Sequence, residues 1–94
     1  MIRYGLYSSS LVFRHFDGGD LSVVFDPRSG DTHLLDAVSF ETCQVLVSGP
    51  ATVDQIKRSM LVEFTAEDPA MICQAVDAAI ERLRYSGLLG SVSN

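Results

Sequence analysis

Two turns near the start of the chain restrict its fold most strongly. The first, DGGD at 17–20, has two glycines that supply positive φ, and the second, DPRSGD at 26–31, places Pro early and Gly late. Short strands joined by tight turns pair antiparallel, so the sequence predicts a three-stranded meander. The predicted strands lie at 11–16, 21–26 and 31–35. One face of the middle strand carries Leu21, Val23 and Phe25.

After Asp36 the apolar residues recur every three to four positions, which is typical of helices. Either Asp36 or Ser39 caps the first helix, and Thr52 with Gln55 has capping-box spacing at the second. Gly87 marks the end of the third. The predicted helices cover 37–48, 52–64 and about 66–86. The second is expected to bury Val53, Ile56, Met60, Leu61 and Phe64. The third carries an apolar stripe of Ile72, Val76, Ala79, Ile80 and Leu83.

This order of elements predicts an α+β fold. A three-stranded antiparallel sheet is followed by a three-helix bundle, β-β-β-α-α-α, in a winged-helix-like arrangement. The second and third helices meet at a brief junction, Phe64-Thr65, that resembles a helix-turn-helix. The length of 94 residues predicts one domain, 1–94, with residues 91–94 fraying at its end.

Composition and charge exclude several classes of protein. An apolar share of 47% with 20% charged residues is typical of a globular chain. No apolar run is long enough to span a membrane, and the amino-terminal stretch lacks the features of a signal peptide, so a cytoplasmic protein is expected. The net charge of −5 disfavours nucleic acid as a partner. Cys43 and Cys73 are expected to be small buried side chains.

No catalytic or metal-binding motif is present. The two histidines and two cysteines stand apart in the sequence, whereas zinc sites use closely spaced pairs. The chain has no nucleophile elbow, no phosphate loop and no His-Glu-x-x-His helix. Turn and capping roles account for Asp26, Asp31 and Asp36. The sequence therefore predicts no catalytic residue and no metal site.

The third predicted strand, Thr32-His33-Leu34-Leu35, lies at the rim of the meander. An edge strand presents unpaired N–H and C=O groups, and this one has few charges to deter pairing. With a helix alongside, an extended peptide could add there as a further strand. Two other coverings remain open: the amino-terminal segment, and a second copy of the chain in a homodimer whose edges pair across a two-fold axis.

The run RHFDGGDLSVVFDPRSGDTHLLDAVSFETCQVL, residues 14–46, resembles the PqqD-type peptide chaperones, also called precursor-peptide recognition elements. Its most specific part is the block SGDTHLLD at 29–36. The Gly49 stop, the Thr52-x-x-x-Ile56 helix start and the ending at 82–89 extend the resemblance over nearly the whole chain. Within that family the chain is most similar to the HPr-rel-A system PqqD proteins, a subgroup associated with an HPr-kinase-related protein.

The resemblance implies a winged-helix-like domain that binds the leader of a ribosomally made peptide and has no catalytic residue or cofactor. The leader would add as a strand beside the third strand and rest against the third helix. The domain would present it to a modifying enzyme. PqqD proteins proper act in biosynthesis of the redox cofactor PQQ with a radical enzyme, whereas this subgroup is tied to a kinase-like protein. The peptide-binding residues implied here are Thr32, His33, Leu34, Leu35, Cys73, Asp77, Ile80 and Arg84.

Several alternatives stay open at this stage. The four helix residues follow from helical angle alone, and the opposite rim, with Ala78 and Arg82, is nearly as well placed. His33 either contacts the peptide or hydrogen-bonds within the turn. Besides a peptide chaperone, the chain could be an adaptor that binds the HPr-kinase-related partner directly, or a winged-helix DNA-binding protein. The acidic residues of the last helix disfavour DNA binding.

Overall fold

The structure, a computed structural model, describes residues 2–16 and 21–92. These form two three-stranded antiparallel sheets and three helices, which confirms the α+β class. The winged-helix-like arrangement stays a prediction. In chain order the elements are β1 (Arg3–Leu6), β2 (Val12–His15), β3 (Ser22–Asp26), β4 (Asp31–Leu35), α1 (Ala37–Val47), β5 (Ala51–Thr52), α2 (Val53–Glu63), α3 (Pro69–Tyr85) and β6 (Leu89–Val92).

The predicted meander is present as the sheet β2-β3-β4, with β3 in the middle. Gly30, at a φ of 79°, closes the β3–β4 hairpin, and its N–H donates to the Asp26 carbonyl at 2.8 Å. The turn predicted at 17–20 lies outside the described residues. The side of β3 that faces the core carries Ser22, Val24 and Asp26. The apolar set of Leu21, Val23 and Phe25 therefore points away from the core.

A second sheet, β5-β1-β6, joins the two ends of the described chain. The predicted order β-β-β-α-α-α omits its three strands and is wrong in that respect. Each strand has four residues or fewer, and glycines interrupt β1 and β6, so none carries a strand periodicity. Ser91 and Val92 pair with β1, so the predicted fraying is wrong for these two residues. Residues 93–94 lie outside the described part.

Capping residues determine where the helices begin. Asp36 caps α1, since its Oδ1 accepts the Ser39 N–H at 2.8 Å. Thr52 and Gln55 form the predicted capping box of α2, with bonds of 3.1 and 2.8 Å. The third helix begins at Pro69 and not at residue 66, because Asp68 is its N-cap.

The core forms around α3, which packs against both α1 and α2. All five residues of its predicted stripe are buried, and Gly87, at a φ of 76°, ends the helix and turns the chain back toward the core. Leu61, predicted to be buried, is 36% exposed on the outer side of α2. The buried apolar residues from other elements are Val24, Leu35, Cys43, Leu46, Ala51, Ile56, Met60, Leu88 and Leu89.

Candidate functional site

β4 is an edge strand in the described part of the chain, where β3 is its only strand neighbour. The Phe16 N–H donates to the Leu21 carbonyl at 3.4 Å, so the odd-numbered residues of β3 direct their backbone groups toward β2. Backbone groups alternate along an antiparallel strand, and the even-numbered residues of β3 therefore bond with β4. Their partners in β4 are its odd-numbered residues. The N–H and C=O groups of Thr32 and Leu34 consequently point away from the sheet.

A cleft of about 300 Å³ lies beside this edge. The end of β4 and the start of α1 form one wall, and the last turns of α3 form the other. Its volume is at the lower limit for small-molecule pockets, so it suits one or two side chains of a longer ligand. The residues around it are Leu21, His33, Leu34, Leu35, Asp36, Ser39, Arg82, Leu83, Ser86 and Leu88.

Arg82 spans this cleft from α3 to α1. Its Nη2 donates to Asp36 Oδ2 at 3.1 Å and to Ser39 Oγ at 2.9 Å. The Arg82 and Asp36 side chains are each 55% exposed, so solvent screening limits their pairing to about 1 kcal/mol or less. The same exposure leaves their polar atoms accessible to a ligand in the cleft.

Arg28 ties the β3–β4 hairpin to the end of α3. Its Nε and Nη2 donate to the two oxygens of Asp26 at 3.0 and 2.7 Å, and Nη2 also donates to the Gly87 carbonyl at 3.0 Å. The side-chain hydrogen bonds from Arg28 lower the pKa of Asp26 below its ordinary value, although burial acts in the opposite direction. Arg28 and Arg82 therefore both connect the region of β4 to α3.

The four predicted strand residues differ in what they expose. Leu34 is 66% exposed and Thr32 is exposed, so both offer side chain and backbone at the edge. Leu35 is 4% exposed and belongs to the core. The side chain of His33 is half-buried beside the cleft and makes no hydrogen bond to any residue of the described part, although its backbone pairs with Val24.

The four predicted helix residues do not line the cleft beside β4. Asp77 pairs with Lys57 of α2 at 3.1 Å, and Arg84 lies 3.8 Å from Glu81 and over the Tyr4 ring of β1. The other two are Ile80, which is buried in the core, and Cys73, which is only partly buried.

Helix geometry explains why the predicted rim does not line this cleft. Successive residues turn by about 100°, so Arg84 points nearly opposite to Arg82 and shares a side with Asp77. Arg82, which the sequence left as the alternative, is the arginine beside β4.

Sequence reasoning missed the polar walls of the cleft. Asp36 was recognised only as a helix cap, and its second oxygen is free to bind Arg82 because a cap uses one oxygen alone. Ser39 was considered only as the alternative cap of α1, and Ser86 carried no signal, since serine is common at helix ends. The arginine at residue 28 belonged to a predicted turn, and no local pattern connects it with Gly87.

Within residues 2–16 and 21–92, no helix is both long and apolar enough to cross a membrane. In the same residues, no group of three or more His, Cys, Asp or Glu side chains is placed to hold a metal ion.

Comparison with known proteins supplies one informative likeness. No family model matches the chain, and no curated protein matches it. The solved structure of TbiB1 in complex with the TbiA(beta) leader peptide matches with a TM-score of 0.69 and 21% sequence identity, over 96% of this chain and 99% of that chain. At this identity the likeness shows that the two chains share a fold.

Proposed function

We propose that this chain is a non-catalytic peptide-binding module that captures the leader of a ribosomally made precursor peptide. The observation that carries the proposal is the edge of β4 beside the cleft walled by α1 and α3. The leader adds as a strand along β4, and the module presents it to a modifying or HPr-kinase-related enzyme. This assignment agrees with the resemblance of residues 14–46 to PqqD-type chaperones.

The backbone at the edge supplies only part of the affinity. Thr32 and Leu34 together offer two donors and two acceptors, and each bond contributes about 1 kcal/mol net. A micromolar complex requires about 8 kcal/mol, so side chains of the peptide must bury surface as well. Alternate side chains of an added strand face the cleft, where Leu83 and Leu88 are apolar and Arg82 and Ser86 are polar.

The TbiB1 likeness supports this proposal because that protein, of the same fold, is in complex with a leader peptide. The fold alone does not determine a ligand. The proposal therefore combines the shared fold with two features of this chain, the edge with outward backbone groups and the adjoining cleft.

The charge distribution weighs against the DNA-binding alternative. Arg28, Lys57, Arg82 and Arg84 all pair with carboxylates of the same chain. The chain as a whole carries a net charge of −5. Phosphate binding would need a basic face and would compete with these pairs.

An amide NMR titration tests the proposal. Labelled protein is titrated with synthetic leader segments of the precursor peptides encoded beside its gene. Strand addition is expected to shift the amides of residues 31–36 and 82–88 and to slow hydrogen exchange at Thr32 and Leu34. The amide of Asp77, on the opposite side of α3 and outside both ranges, serves as an internal control.

Two other outcomes would contradict the proposal. Shifts confined to surfaces away from β4 would reject strand addition at this edge. If no peptide shifts any amide, and shifts appear only when the HPr-kinase-related protein is added, the chain is an adaptor that binds the enzyme directly.

A further inference from the structure

The outward face of the sheet β2-β3-β4 is apolar, although nothing in the described chain covers it. Five of the twelve exposed large apolar residues of the described part lie on this face, which we call the outer sheet face. It consists of Val12, Arg14 and Phe16 from β2 and its end, Leu21, Val23 and Phe25 from β3 and its start, and Thr32 and Leu34 from β4.

The alternation along β3 is inverted relative to an ordinary two-layer domain. Antiparallel sheets usually place apolar residues toward the core and polar residues toward solvent. Here Ser22 and Asp26 are buried, at 0% and 4% exposure, while Phe25 on the other side is 39% exposed. A one-residue change of register would bury the apolar set, yet the observed register keeps it outside. Such a face is expected where another molecule covers the sheet.

The register makes the outer sheet face continuous. Val12, Phe25 and Thr32 lie side by side across the three strands, and Arg14, Val23 and Leu34 form the next row. The face measures roughly 14 by 17 Å, from strand spacings of about 4.8 Å and residue rises of about 3.3 Å. Apolar patches of about 300–600 Å² on monomers are often functional, and this face approaches that range.

We propose that the outer sheet face is a homodimer interface on which a second copy of this chain packs sheet against sheet. A two-fold axis parallel to β3 lays the apolar line of the middle strand against the same line of the second copy. That axis also lays β2 over β4 of the second copy. The long stem of Arg14 then covers the exposed Leu34 of the other copy, with its guanidinium at the rim of the interface.

Charge supports a second copy as the occupant. Each chain carries a net charge of −5, so two copies repel over most of their surfaces. The outer sheet face holds one cation, Arg14, and no carboxylate among its residues. It is therefore a surface on which two anionic copies approach without placing carboxylates against one another.

The area of the face limits the strength of the contact. A stable interface buries about 800 Å² on each partner, and a face of this size supplies less. The dimer is accordingly weak and forms in a concentration-dependent way. This inference does not require that β4 bind a peptide, since β2 and β3 provide most of the surface.

Sedimentation velocity of the native chain from about 10 μM to 1 mM tests the proposal, a range suited to a contact of this size. We expect a shift from monomer toward dimer across it. Val12→Asp, at a position 57% exposed, and Phe25→Asp should each weaken dimerisation at least about tenfold. Val62→Asp is the matched control, because Val62 is 75% exposed on α2 and the change adds the same charge.

A native chain that stays monomeric over this range would overturn the proposal. It would indicate that a different protein covers the outer sheet face. A dimer unaffected by both substitutions would also overturn it and would assign dimerisation to another surface, such as edge pairing of β4. Circular dichroism of each variant confirms that it is folded. Val12→Asp should leave the peptide titration unchanged, since Val12 lies two strands from the edge of β4, so failure of this inference is distinguishable from failure of peptide binding.

Discussion

Arg82 and Asp36, 46 residues apart in sequence, meet at 3.1 Å across the cleft beside β4. The two oxygens of the Asp36 carboxylate have different partners. One caps α1, and the other accepts a hydrogen bond from Arg82. Arg28 makes a second connection on the other side of the hairpin, to the carbonyl of Gly87. Two arginines therefore link the region of β4 to α3, and each link offers a separate test.

Arg82→Ala is expected to weaken peptide binding while leaving the fold intact. The substitution removes the bonds to Asp36 and Ser39 and one polar wall of the cleft. Because the pair is half exposed, the free energy of unfolding should fall by no more than about 1 kcal/mol. The dissociation constant for a leader peptide should rise about tenfold, equivalent to roughly 1.4 kcal/mol.

Arg84→Ala is the control for this substitution, because it removes the same side chain from the opposite side of α3. Calorimetric titration of both variants measures the difference. Equal losses of affinity in the two variants would indicate a general charge effect and would contradict a specific role for Arg82.

Leu34→Pro is expected to abolish strand addition without breaking the hairpin. The Leu34 N–H points away from β3, so proline removes a donor from the free edge and none from the ladder. Leu34→Ala keeps that donor and loses only the exposed side chain. The proline variant should lose binding by titration and the alanine variant should retain part of it. Equal binding by the two folded variants would contradict main-chain pairing at β4.

The sequence predicts those parts of the fold that have local signals. The hairpin turn at 26–31, the cap at Asp36, the capping box at Thr52 and the stripe of α3 are all present. The sheet β5-β1-β6 was missed because its stability comes from pairing between distant ends of the chain. Its strands are too short to leave a periodic pattern of their own.

In the candidate site too, the sequence predicts the feature that has a local signal and misses the feature that depends on tertiary packing. The edge strand followed from two turns and is in place. The predicted rim of α3 lies away from this cleft, since the apolar stripe identifies the side that faces the core but not which flank lies beside β4. That flank depends on how α3 is rotated against α1 and the sheet, and the bond from Arg82 to Asp36 shows that it is the flank of Arg82.

Acid is expected to destabilise the fold partly through Asp26. Its pKa is lowered in the folded state by hydrogen bonds from Arg28, so the pair stabilises the fold fully above the unfolded-state pKa of about 4. That contribution is lost as the pH falls through the lower folded-state pKa. Asp26→Asn should therefore be less stable than the native chain at neutral pH, and the difference should shrink toward pH 2.

Urea unfolding of both proteins at several pH values measures this difference. Burial raises the pKa of Glu41, which acts in the opposite direction, but its contribution is common to both proteins and cancels. A difference between native and Asp26→Asn that stays constant from neutral to acidic pH would contradict the role of the Asp26–Arg28 pair.

The two cysteines are expected to differ sharply in reactivity. Burial raises the pKa of the Cys43 thiol to about 12, and its side chain has no exposed surface. Cys73 is partly exposed on α3, so the expectation that both cysteines are buried holds only for Cys43. The thiolate is the nucleophile, and a buried thiol with a raised pKa forms little of it.

A thiol reagent at pH 8 should therefore modify one cysteine per folded chain rapidly, and the second only after unfolding. Cys73→Ser should remove the rapid reaction and Cys43→Ser should keep it. Two rapid thiols in the native chain would mean that α1 separates from the core often enough to expose Cys43.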